Sequence, residues 1–196
     1  MALRQVKDTP TNNFATLNPL DAGTNLSFTN GNLRLSSSSN PNNNTKGTIG
    51  VSAGKWYFEY VIVSGNNSSV VGIGGRSASV SSNFSGDLYA YDSNGNKIVN
   101  GSGSSYGTSF VVGNVIGVFF DLDLLKIEFF KNNVSQGVII NITSEITWSP
   151  FIHVNSATGH INLGTDPTFG SAKSLSTTYT DANGQGKFYY QPPAGA

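Results

Sequence analysis

The chain has 196 residues, enough for one domain with extensions and a real core. Charged side chains make up only 11%, against roughly 25% in a typical soluble domain, and the 11 basic and 11 acidic groups cancel. That balance excludes the usual electrostatic route to nucleic acid, a clustered basic face that displaces counterions, and offers no polybasic attraction to a membrane. Polarity comes from Asn, Ser, Thr and Gly, so the surface is expected to respond little to salt and pH. There is no Cys, which removes disulfides and thiolate metal sites. No apolar run approaches the roughly 20 residues of a membrane helix. The opening Met-Ala-Leu-Arg-Gln-Val-Lys lacks the apolar core of a secretion signal. Release by lysis, as part of a virus, fits that start. The Asn-X-Ser/Thr triplets, such as Asn66-Asn67-Ser68, are expected by chance in so Asn- and Ser-rich a chain.

Period-two alternation dominates, and no segment reads as an amphipathic helix. Leu26-Ser27-Phe28-Thr29, Asn30-Gly31 and Asn32-Leu33-Arg34-Leu35 predict a hairpin, since Asn-Gly tolerates the positive φ of a two-residue type I′ turn. Residues 36–45 follow as a polar loop. Residues 55–63 form the clearest strand, with Trp56, Phe58, Tyr60 and Ile62 on one face and Tyr57, Glu59, Val61 and Val63 on the other. A loop at 64–69 leads to a short buried strand at 70–74. Segments 88–91 and 97–99 bracket a turn at Asn94-Gly95. Residues 115–120 are almost continuously apolar, as a strand covered on both sides should be. Residues 125–130 pair Ile127 with Phe129 on one face, and Asn132-Asn133 turns into 134–140. Segments 148–154 and 161–163 complete the set. Short strands about ten residues apart, divided by Gly and Asn turns, indicate a sandwich or barrel. Trp56 and Trp148 are expected in its inter-sheet core, and 171–196 as an extended tail, packed on the sandwich or against a neighbour.

These segments resemble a known family. Gly54-Lys55-Trp56-Tyr57-Phe58-Glu59 is similar to the opening strand of SPRY (B30.2-like) domains, and Val71-Gly72-Ile73-Gly74 to their V-G-I-A strand. Val115-Ile116-Gly117-Val118-Phe119-Phe120-Asp121-Leu122-Asp123 resembles the I-G-V-x-x-D-x-D signature, and Phe129-Phe130-Lys131-Asn132-Asn133 the F-x-K-N-G that follows. Pro150-Phe151-Ile152 and Ile161-Asn162-Leu163-Gly164 look like the closing strands. Two positions depart: Leu124-Leu125 stands where an Asn-Gly-like turn is usual, and Asn133 replaces the glycine of N-G. The segment from Asp8 to Pro19 and the ending Phe188-Tyr189-Tyr190-Gln191-Pro192-Pro193 look like the flanks of SPRY proteins encoded by tailed phages. The resemblance implies an all-β fold, a bent antiparallel β-sandwich of SPRY, concanavalin-like form. It divides the chain into a leader and hairpin at 1–45, the sandwich at 46–170 and the tail at 171–196. It also implies a scaffold without catalytic residues, binding through loops at one end, and in phage relatives a structural role in the particle.

The candidate chemistry is sparse. Asp121 and Asp123, with Glu128 nearby, would suit a calcium site or a glycosidase carboxylate pair; they are read here as turn residues that accept backbone N–H bonds. His153 and His160 lack a third ligand at metal-binding spacing. Gly72-Ile73-Gly74-Gly75 reads as strand glycines in close backbone packing. Loops at 64–69, 75–87, 101–108 and 155–159 are expected near strand ends. Arg76, Phe84, Tyr106, Thr158 and His160 are the side chains there expected to anchor a partner, because Arg and aromatics dominate binding hot spots. Phe84 and Tyr106 have the alternative of packing beneath their own loops. The expectation is therefore a non-enzymatic virion component, a tail-fibre or surface adhesin, localised to the virion. It would need no cofactor or metal. It would contact other virion proteins and a host-surface glycan or protein, without nucleic acid or membrane insertion, as a homo-oligomer. A capsid decoration protein is the alternative, and a polysaccharide-degrading enzyme the alternative of another class.

Overall fold

The computed structural model describes residues 13–39, 43–81, 84–144 and 147–196, and every regular element among them is a strand. In chain order these are β1 (Leu17–Ala22), β2 (Ser27–Thr29), β3 (Arg34–Ser37), β4 (Asn44–Gly47), β5 (Lys55–Gly74), β6 (Leu88–Asp92), β7 (Asn96–Val99), β8 (Ser102–Ser105), β9 (Val115–Asp121), β10 (Lys126–Lys131), β11 (Val134–Ile140) and β12 (Ser149–Asn162). A small terminal pair follows, β13 (Tyr179–Thr180) and β14 (Lys187–Phe188).

The architecture follows from two long strands. β5 has 20 residues and β12 has 14, and each contributes one half to each of two antiparallel layers. In the first layer the Lys55 half of β5 pairs with β9, which continues to β10 and β11, while the Asn162 half of β12 pairs with β3, which continues to β2. In the second layer the Gly74 half of β5 pairs with β6, which continues to β7 and β8, and the Ser149 half of β12 pairs with β4, which continues to β1. The bend lies at Gly65 (φ 93°) and Ser156 (φ 49°), beside a register shift between Asn155 and Ala157. It is sharp enough that the Tyr60 hydroxyl meets Ser69 Oγ at 2.6 Å. A straight strand would hold residues nine apart at roughly 30 Å.

Between the layers lies one continuous core. Phe58, Tyr60 and Ile62 of β5, Ile116, Val118 and Phe120 of β9, and Phe129 of β10 meet Val71, Ile73, Tyr91, Trp148, Ile152 and Val154 from the other layer. Both outer faces are covered as well. Val70, Leu88, Ala90, Ile98 and Phe151 pack beneath Ala78 and Phe84 of the 75–87 segment. Val61, Val115 and Val63 pack beneath Phe169, Tyr189 and Tyr190 of the C-terminal tail. β9 is buried at every position, as its unbroken apolar run requires.

Several expectations need correction. Residues 64–69 and 155–159 are not loops; they pair with each other inside β5 and β12 (Ser68 with Asn155, Gly65 with Ala157, Ser64 with Thr158). Their Ser, Asn and Gly content reflects a bend, exposed at residues 64–67, not an unpaired backbone. The first hairpin leaves four residues between Thr29 and Arg34, with Asn30, Gly31 and Asn32 all at positive φ, instead of a two-residue turn. The expected loop at 36–45 contains most of β3's end and the start of β4, whose Asn44, Thr45 and Lys46 are buried, so β4 crosses the expected boundary at 45/46. β8 lies within the expected 101–108 loop. The expected leader residues 1–12 lie outside the described residues.

Candidate binding surface and cleft

The turn after β9 is organised by its carboxylates. Asp121 Oδ1 accepts the N–H groups of Asp123 (3.1 Å) and Leu124 (3.0 Å), and Asp123 Oδ1 accepts that of Gly54 (2.9 Å). Turn chemistry is thus the role both residues play. Leu125, standing where the family has a turn residue, takes the left-handed conformation (φ 51°) and packs its side chain on the core. Asn132 and Asn133 are both left-handed (φ 48° and 66°), as Asn can be at low cost. Glu128 accepts from the Ser135 hydroxyl across β11.

Glu59 is the most constrained ionisable group. It is fully buried, and its carboxylate accepts four hydrogen bonds: from the Tyr57 hydroxyl (3.2 Å), Asn162 Nδ2 (3.0 Å) and the N–H groups of Tyr189 (2.9 Å) and Tyr190 (2.8 Å). Asn162 also donates to Lys187 O and, through Oδ1, accepts from Gly164 and Asp166. The pair fastens the tail to the outer face of the first layer. Burial raises the Glu59 pKa despite the four donors, which lower it.

The five side chains expected to bind are not brought together into one surface. Arg76 is exposed, on a segment tied down by Lys46 Nζ, which reaches Arg76 O at 3.4 Å and Asp21 at 3.1 Å. Phe84 is half-buried, edge-on to His153 with ring centroids 5.1 Å apart. Tyr106 donates to Gly137 O and packs on Tyr91 and Phe129, which pushes its phenol up to about 12 through burial. Thr158 is a half-buried strand residue paired on both sides. His160 is fully buried, with Nε2 3.5 Å from Asn30 Nδ2 and 3.8 Å from Asp166, against the Phe169 ring. As surface anchors, Tyr106 and His160 are corrected: both pack inward, because an aromatic ring beside a strand bend gains more from the core than from water. The second histidine, His153, sits 2.8 Å from Asn44 Oδ1. Burial lowers both histidines to about 4.

A cleft of about 620 Å³ opens elsewhere, at the start of β5. Trp56 is not a core residue, contrary to expectation: it is 44% exposed, whereas Trp148 is 1% exposed. An inward-facing residue at the end of a strand lies at the mouth of the sandwich, where it stays partly open. The Trp56 indole N–H donates to Ala53 O at 2.7 Å, which fixes the ring at the cleft wall. Phe14 of the leader and Phe188 of β14 contribute further aromatic surface, while Asn13, Asn183 and Gln185 line the cleft with side-chain amides. None of the five expected residues lines it. No periodicity could have located it, since its walls come from separate segments spread along the chain from Asn13 to Phe188.

The sandwich matches the model of the SPRY domain over residues 55–166, more than half of the chain, and the protein belongs to that family. Solved structures agree in fold. The SPRY domain of human HERC1 superposes with a TM-score of 0.62 at 20% identity, covering 74% of this chain and 96% of that one. A human SPRY domain gives 0.58 at 22% identity over 73% and 98%, and the TRIM65 PSpry domain 0.61 at 12% over 76% and 90%. No curated protein matches the chain. SPRY domains are in general non-catalytic protein-binding modules. The leader strands β1 to β4 and the C-terminal tail lie outside the family match; Tyr189 and Tyr190 of the tail help cover the first layer, and residues 13–15 and 181–188 supply much of the cleft.

Proposed function

We propose that this protein is a non-enzymatic binding and structural module of a bacteriophage virion, part of a tail fibre or surface adhesin that contacts a host-surface glycan or protein. One observation carries the binding-module reading. The polar groups that a hydrolase would use, Asp121, Asp123 and Glu59, each accept backbone or side-chain hydrogen bonds that hold turns and the tail in place. The phage context is supported by the leader and tail sequences and by a surface whose polarity is carried by amides and hydroxyls. Other virion proteins and further copies of the chain are its proposed partners in the particle.

The test is to add the fluorescently labelled protein to host cells and to the purified host-surface polysaccharide. Saturable adhesion without release of reducing ends is the expected result. Release of reducing ends by the intact protein would replace this reading with that of a polysaccharide-degrading enzyme.

A capsid decoration role is the second reading, and one feature favours it. Among the described residues β11 pairs on one side only, and it turns Val134, Val138 and Ile140 (64%, 48% and 66% exposed) toward solvent. An apolar sheet edge of this kind suits a neighbouring subunit in a lattice.

A further inference from the structure

We infer that the cleft beside Trp56 is a carbohydrate site that takes a neutral pyranose. The inference leans on the adhesin reading only for the source of the sugar. Three properties of the cleft select this ligand class.

The first is charge. Among the described residues no Lys, Arg or His lines the cleft, so its described walls offer no cation to a phosphate, a sulfate or an acidic sugar. Its one carboxylate, Asp181, already accepts the N–H groups of Gln185 (2.9 Å) and Gly186 (3.0 Å). An occupant complementary to these walls is uncharged.

The second is the combination of a flat apolar wall with amides. The exposed Trp56 ring offers a π-face to the C–H side of a sugar ring, an association driven by apolar contact. Asn13 and Asn183 each carry both a donor and an acceptor in one plane, the arrangement that vicinal hydroxyls match. The volume, about 620 Å³, lies in the range of small-ligand sites and accommodates one or two sugar residues.

The third separates a sugar from a proline-rich peptide, the other ligand of aromatic grooves. Such peptides dock in extended form on aromatic-lined grooves, and their carbonyls then need donors from the groove wall. Here the Trp56 N–H donates to Ala53 O and the Tyr57 hydroxyl donates to Glu59. The aromatic donors are therefore already engaged by the fold, and the amides of Asn13 and Asn183, each donor and acceptor together, match the hydroxyls of a sugar better than the carbonyls of a proline-rich peptide, which only accept.

The experiment prints neutral, amino-sugar and acidic bacterial glycans on one array and probes it with the full chain, Trp56→Ala, Asn183→Ala and Arg76→Ala. Positive spots are then titrated by tryptophan fluorescence with acrylamide quenching, which reports Trp56 because Trp148 is buried. The expected result is binding to neutral glycans only, protection of Trp56 from acrylamide, and a loss of about tenfold or more in Trp56→Ala, the scale of one stacked ring. Asn183→Ala, on an exposed turn, should weaken binding with the melting temperature unchanged, and Arg76→Ala should bind as the parent does. No glycan bound, binding confined to acidic glycans, undiminished binding by Trp56→Ala, or protection of Trp56 by a proline-rich peptide instead would each overturn the assignment. Host-cell adhesion of Trp56→Ala keeps the two readings apart. Adhesion that survives while the array is blank removes the sugar site and leaves the adhesin standing, whereas absent adhesion by the parent chain removes the adhesin.

Discussion

Glu59→Gln changes one acceptor oxygen into an N–H donor at a place where four donors converge. At least one of the Tyr189 or Asn162 donors, or their counterparts on the other oxygen, then faces a donor in the dry outer layer. The expected cost is about 2–4 kcal/mol, read as a lower melting temperature together with faster proteolysis of the tail. Unchanged melting would mean that the tail is held by its aromatic rings alone. The histidines set the acid limit. Their folded pKa of about 4 lies below the unfolded value near 6.5, so the folded state resists taking up protons. Stability is full above about pH 6.5 and falls as the pH drops toward 4, by roughly 3 kcal/mol for each histidine at the limit. Melting curves across that window should show the slope, and His153→Gln should reduce it. Glu59, whose pKa is raised, acts in the opposite sense, since protonation relieves part of its burial cost. The low charge content had suggested indifference to pH; the acid sensitivity comes from two buried rings that composition does not show. The turn role of Asp121 and Asp123 has its own check, because chelation by EDTA should leave the melting temperature where it is, and a drop of many degrees would point to a bound cation.

At the scale of elements, the glycine of the V-G-I-G strand is the sharpest case. A Cβ on Gly72 would lie 2.1 Å from Tyr89 O and 2.5 Å from Ala90 Cα, both on the backbone of the paired strand. Gly72→Ala should therefore separate β5 from β6 and cost about 3 kcal/mol or more. Gly103→Ala, which would meet nothing within 4 Å on exposed β8, should stay within about 0.5 kcal/mol of the parent in chemical denaturation. Equal effects would refute the close-packing role. Strands with strong alternation or unbroken apolar runs, 55–63 and 115–120 above all, were readable directly, because burial on one face or both leaves a period in the sequence. β4 and β8 were not, since Asn, Thr, Lys, Ser and Gly carry no such period even when the backbone pairs. The bend of β5 and β12 has the sequence pattern of two loops for the same reason. Of the candidate site, the turn carboxylates were legible from local chemistry. The inward packing of Tyr106 and His160 and the opening of Trp56 depend on where each strand ends relative to its partners, a tertiary property.

For the whole molecule, the SPRY sandwich accounts for the central layers, and the flanking segments complete it. The tail seals the first layer's outer face through Phe169, Tyr189 and Tyr190, while its β13–β14 turn and the leader residue Phe14 build the cleft around Trp56. The domain is covered on both faces, and the cleft proposed to bind lies at the rim of the sandwich. The proposal that it works on a virus particle is the claim on which the functional account rests. The most direct measurement is electron microscopy of intact particles of the phage proposed to carry the chain, labelled with gold-conjugated antibody raised against it. The account predicts gold at the fibre tips or tail. Even labelling over the capsid would transfer the protein to the decoration role, and particles without label would contradict the virion assignment altogether.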